Sequence, residues 1–156
     1  MTRSEKVLDH LRRALEGGAW HGASLLEAVA GVSPEVAAAR VVPGGHSVWE
    51  QLLHATAWTH AVRRRLAGEA VELAEREDWP PIGEVGEAGW AEARRAAAEA
   101  FAALEGAVRG LGEDDLDRTV PGRDYPAEFM LWGLAQHLAY HAGQVGILKR
   151  AAAARG

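Results

Sequence analysis

The sequence predicts an all-α fold, an antiparallel four-helix bundle, on three observations. Alanine-rich stretches such as Ala96-Ala97-Ala98 favour helix, and the sequence holds only two Phe and two Tyr. Apolar residues recur at helical spacing through long segments, and glycine- or proline-rich joints separate those segments. At 156 residues the chain has the length of one domain, able to bury roughly 70% of its unfolded surface in one core, so a single domain over residues 1–156 is expected.

The first segment begins after Ser4 and places Val7, Leu8, Leu11, Ala14 and Leu15 on one helical face. Gly17-Gly18 then interrupts it before a second apolar run at Leu25, Leu26 and Val29, which predicts a helix broken or bent between Gly17 and Gly22. Ser33-Pro34 reads as a turn that starts a short helical piece near Glu35 to Ala39, and Pro43-Gly44-Gly45 reads as a loop. Ser47-Val48-Trp49-Glu50 has the spacing of a capping box, in which the Ser and Glu side chains satisfy backbone donors at a helix start. The second long helix should run from there to about Ala67, with Gly68 just beyond. Glu77 to Gly89 contains Pro80-Pro81 and three glycines and predicts a loop long enough to have a function, with Trp79 inside it. A third long helix is expected over Trp90 to Val108, ended by Gly110, Gly112 and the acidic Glu113-Asp114-Asp115. After loop signals at Pro121-Gly122 and Tyr125-Pro126, the last helix should span Ala127 to Ala153. No internal repeat appears, and four long helices joined by loops suit an antiparallel bundle.

Charge and composition exclude several classes of function. Seventeen basic against twenty-two acidic residues give a net charge of -5 without a basic stripe to follow a phosphate backbone, so no nucleic-acid partner is expected. The start of the chain is amphipathic instead of signal-like, and no stretch reaches the length of an apolar membrane span, so the expected location is the cytoplasm, with no membrane partner. Cysteine is absent, which removes disulfides, thiolate ligands and a protein-borne Cys nucleophile. A bound metal would need His, Asp or Glu, and thiol chemistry would need a thiol from solution.

The histidines of the last helix carry the strongest signal. Residues there turn by about 100 degrees each, which puts Met130, Leu134, His137, His141, Val145 and Leu148 on one face. Imidazole is costly to bury without partners for both nitrogens, and two protonated rings one turn apart repel. A shared divalent metal relieves both difficulties, and the i,i+4 spacing lets the rings converge on one ion. The alternative is that each ring is simply hydrogen-bonded in the core. His137-Leu138-Ala139-Tyr140-His141 also lacks the Glu of the HExxH metalloprotease motif. His54 lies one turn before Trp58 at the edge of an apolar face, where periodicity alone reads it as a flanking residue. His60, about a third of a turn away beside three arginines, reads as solvated, and His10 as a flank of the first helix. His21, in Trp20-His21-Gly22 at the expected helix break, is a candidate second-layer or substrate contact together with Trp20. Trp20, Trp49, Trp58 and Trp132 are otherwise core and loop anchors.

Two of these patterns together resemble the DinB-like superfamily of bacterial four-helix proteins, a similarity that covers essentially the whole chain. One is the Ser-x-x-Glu helix start followed by a His, here Ser47-Val48-Trp49-Glu50 through His54. The other is His-x-x-x-His-x-Gly-Gln, here His137 through Gln144. The resemblance implies that His54, His137 and His141 ligate a divalent metal, zinc or nickel, and that the chain forms a homodimer. Characterised members of that superfamily include bacillithiol-dependent thiol transferases and mycothiol-dependent isomerases.

Three functional readings follow. In the first, a metal-dependent thiol S-transferase, a low-molecular-weight thiol such as bacillithiol becomes a thiolate at an open three-His site and attacks an electrophile. Gln144, one turn after His141, is then a candidate contact to a bound water or ligand, and otherwise a polar residue of the bundle edge. The second reading is metal-assisted hydrolysis, which needs a general acid or base that no carboxylate clearly supplies. The third is a stress-related metal-binding homodimer without turnover.

Overall fold

The computed structural model describes residues 1–155, and all of its regular elements are helices: α1 (Arg3–Leu15), α2 (Leu25–Val29), α3 (Pro34–Ala38), α4 (Val48–Leu66), α5 (Glu75–Asp78), α6 (Glu87–Arg109), α7 (Glu113–Asp117) and α8 (Ala127–Ala153). The four long ones pack side by side, α4 against α6 and α8, and α1 against α8 and α6. Their facing stripes form one core in which Leu11, Leu52, Leu104 and Leu131 are fully buried.

Local chemistry explains most boundaries. The Ser47 hydroxyl accepts the Glu50 N–H at 3.2 Å and the Glu50 carboxylate accepts the Ser47 N–H at 2.8 Å, so the capping box starts α4 as its spacing predicts. Arg40 pairs with that same carboxylate and ties the preceding loop to the helix start. Gly68, at φ +96°, takes the left-handed conformation that ends α4. α8 has the span its sequence predicts, with Met130, Leu134, His141, Val145 and Leu148 buried along one face and His137 half-buried among them.

Three boundaries differ from expectation. α6 begins at Glu87 rather than Trp90, because Gly89 lies in its first turn. A Cβ there would stand 2.9 Å from the Glu84 carbonyl oxygen and 3.2 Å from the Trp49 ring, so this glycine allows close packing instead of marking a loop. The acidic Glu113-Asp114-Asp115 does not simply end the preceding helix but opens α7, where the Asp115 carboxylate accepts the Gly112 N–H at 2.9 Å and Leu116 is buried. The expected loop from Glu77 starts inside the single helical turn of α5, whose last residue, Asp78, proves central to the site.

Candidate metal centre

His54 on α4 meets His137 and His141 on α8, and one ring nitrogen from each lies within 4.8 Å of the others. The His137 Nε2 is 3.0 Å from the Nε2 of His54 and 3.0 Å from that of His141. The opposite edges of two rings are already engaged. His54 Nδ1 lies 2.7 Å from the Asp78 carbonyl oxygen, and His141 Nδ1 contacts the Gln51 side-chain oxygen. Both partners are acceptors, so both Nδ1 atoms carry hydrogen and both Nε2 atoms present lone pairs to the centre. The Nδ1 of His137 is buried without a partner.

Such a set fits a divalent metal ion. A tetrahedral ion with nitrogen ligands at 2.0–2.1 Å holds neighbouring nitrogens about 3.3 Å apart, close to the two 3.0 Å separations that His137 makes here. In the absence of an ion, three nitrogens at this range can share at most a hydrogen on His137, and a second proton would add a buried charge and set two N–H donors against each other. The rings accordingly resist protonation. Burial, followed by the neighbouring His137 and His54, pushes His141 down to about 3, and burial with His54 pushes His137 down to about 4. Burial also lowers His54, although the Asp78 hydrogen bond and charge oppose it.

The surroundings hold the ligand set in place. Gln51 accepts from His141 and donates to the Gln144 oxygen at 3.1 Å, so Gln144 acts through Gln51 and makes no hydrogen bond of its own to the three rings. The Asp78 carboxylate lies 3.1 Å from His54 Nδ1 and accepts the Trp58 indole N–H at 2.6 Å. Trp79 stacks on His54 at a centroid distance of 3.9 Å and on His46 at 3.5 Å, forming a three-ring pile that closes one side of the cluster. On another side a cavity of about 370 Å³ opens onto His54 and His137, lined by Trp58, Asp78, Met130 and Leu134 and reaching Arg65 and Tyr125.

Trp20 and His21 do not join this site. Gly17, Gly18 and Gly22 all have positive φ, and the Ala19 to Gly22 bridge folds the break into a turn that carries both side chains outward. Trp20 is fully exposed, and with His21, His10 and Trp132 it lines a separate groove between α1 and α8. His60 is exposed, as expected. His54 departs from its flanking reading and is only 6% exposed, because the α5 turn covers it. Asp78, Gln51 and His46 carry no sequence signal as obvious as a histidine pair. Gln51 precedes His54 by one helical turn, so the face shared with His54 is its only clue.

An all-helical bundle with a three-histidine cluster facing an apolar cavity defines a class of helical proteins able to hold a metal ion between two of their long helices. The chain belongs to the DinB superfamily, whose family model matches residues 19–145 and so takes in all three histidines. No curated protein and no solved structure matches the chain.

Proposed function

We propose that His54, His137 and His141 hold one divalent ion, zinc or nickel, and that the site serves a thiol S-transfer reaction between a low-molecular-weight thiol such as bacillithiol and an electrophile. The observation that carries this reading is the convergence of three Nε2 atoms with the other edges of His54 and His141 engaged by acceptors, beside a cavity large enough for a small molecule. A bound divalent ion supplies positive charge that favours the thiolate over the thiol at neutral pH. The chain's own residues do the rest. Asp78 and Gln51 fix ring tautomers and orientation, while Trp58, Met130 and Leu134 exclude water around the electrophile. With no cysteine in the chain, the sulfur comes from solution.

Metal-loaded protein should accelerate attack of a thiol on a chlorinated aromatic, whereas chelator-treated protein should not. A panel including bacillithiol and glutathione tests this, and equal rates with protein and with buffer plus metal would reject the transferase reading.

One observation favours a second reading, metal-assisted hydrolysis. The Asp78 carboxylate lines the cavity beside His54, where it could act as a general base. Ester turnover that is lost in Asp78→Asn while metal is retained would favour hydrolysis over thiol transfer.

For the assembly, we propose a homodimer through the outer face of α8. Phe129, Tyr140 and Ile147, each more than 60% exposed, fall within about 20 degrees of one another around that helix.

A further inference from the structure

Arg65 is the one feature of the cavity wall that the histidine cluster does not explain. It is 4% exposed, yet none of its nitrogens lies within 4.0 Å of a carboxylate of the described residues. Its Nε and one Nη donate to a single neutral acceptor, the Val71 carbonyl oxygen, at 3.2 and 2.8 Å. A guanidinium has five N–H donors, so three remain. The nearby Glu72 carboxylate is taken by Arg123 at 2.7 Å and is itself largely exposed. A buried cation without a counter-charge is costly unless something compensates it, and the Trp58 face, 5.3 Å from the guanidinium carbon, compensates only in part.

The position of this cation gives it a use. His54, Trp58, Val62 and Arg65 occupy successive turns of one face of α4 and all line the same cavity. Eleven residues of helix separate the Cα atoms of His54 and Arg65 by about 16 Å, and the Arg65 side chain turns back over Trp58. Trp58 therefore stands between the two ends, its ring 5.9 Å from His137 and 5.3 Å from the Arg65 guanidinium carbon. Met130 and Phe129 form apolar wall between them.

We propose that the end of the cavity remote from the histidines is an anion subsite, in which Arg65 receives the carboxylate of a substrate whose apolar or aromatic body lies along Trp58. This deepens the reading of the cavity as the substrate chamber of the histidine site and rests on it. Arg65, the cation among the described residues lining the cavity that has no carboxylate partner, and the apolar walls select one carboxylate on a short hydrophobic spacer, with the reactive end towards His54 and His137.

The test is a calorimetric titration of the full chain, metal-loaded and chelator-treated, with 3-phenylpropionate and with its neutral analogue 3-phenylpropanamide. The carboxylate is expected to bind about tenfold or more tightly than the amide in both forms, the advantage of a hydrogen-bonded charge pair. Arg65→Met should abolish the preference and Arg65→Lys should keep part of it. Equal binding of the two ligands, or a preference that survives in Arg65→Met, would overturn the proposal. So would a preference that vanishes when metal is removed, since the carboxylate would then sit at the histidines. Should Arg65→Met fail to fold, the Arg65 Nε–H resonance of the unaltered protein decides: it should move with the carboxylate and not with the amide, and an unmoved resonance refutes the subsite. Failure of the metal reading alone would leave the preference of the chelator-treated chain intact, so the two failures are distinguishable.

Discussion

At the scale of residues, the histidine cluster depends on groups that never touch its centre. Gln51 fixes His141 by accepting at Nδ1 and is itself held by Gln144, while Asp78 does the same for His54 through its backbone carbonyl. Partners of this kind typically affect metal affinity by 10- to 100-fold, so Gln51→Ala is expected to weaken metal binding by about that factor without unfolding the chain. Competition with a chromophoric chelator measures it, and an unchanged affinity would deny Gln51 a role. His60→Ala, altering an exposed ring outside the cluster, should keep wild-type affinity. The i,i+4 spacing made His137 and His141 legible in the sequence. His54 was legible only through its resemblance to a family pattern, since its helical face reads as a flank. What buries it is the α5 turn, twenty-four residues later in the chain, and helical periodicity carries no information about such a cover. Trp20 and His21 show the converse failure, because a glycine-rich break signals irregular backbone but not the direction in which it points its side chains.

At the scale of elements, the start of α4 sets the height of the site. The Ser47 capping box fixes the first turn, Gln51 follows one turn later and His54 another. Ser47→Ala removes the side-chain acceptor for the Glu50 N–H, and loss of such a cap costs about 1 kcal/mol. The variant should therefore show a lower denaturant midpoint with an unchanged slope, and an unshifted midpoint would mean that packing alone holds this helix end. Helices with strong caps or long apolar stripes, α4 and α8, have the bounds that the sequence predicts. The misplaced boundaries lie where glycine or acidic residues have two meanings. Gly89 reads as a loop residue but is selected by contact with Trp49, and Asp115 reads as a helix stop but caps the next turn.

At the scale of the whole molecule, the buried imidazoles link stability to pH. Unfolded histidines titrate near 6.5, whereas burial pushes His137 down to about 4 and His141 down to about 3 in the folded chain. Between those values the unfolded state binds more protons, so stability rises with pH and is lost as pH falls from about 6.5 towards 4. Metal-free protein should accordingly melt at lower temperature at pH 5 than at pH 7, and the difference should shrink in His141→Gln. A pH-independent melting temperature would contradict it. The proposed α8 face should give a dimer in sedimentation equilibrium at micromolar concentration, dissociated by Tyr140→Glu; a wild-type monomer would refute that assembly. The all-helical fold was legible from periodicity and joints alone, while the cavity between α4 and α8 was not, because it arises from tertiary spacing. The most direct test of the central claim is the metal content of protein purified without a histidine tag, compared with its His54→Ala, His137→Ala and His141→Ala variants. The account expects about one divalent ion per wild-type chain and loss of most of it in each variant; full retention in any of the three, or no stoichiometric metal in the wild-type chain after incubation with zinc and nickel, would contradict it.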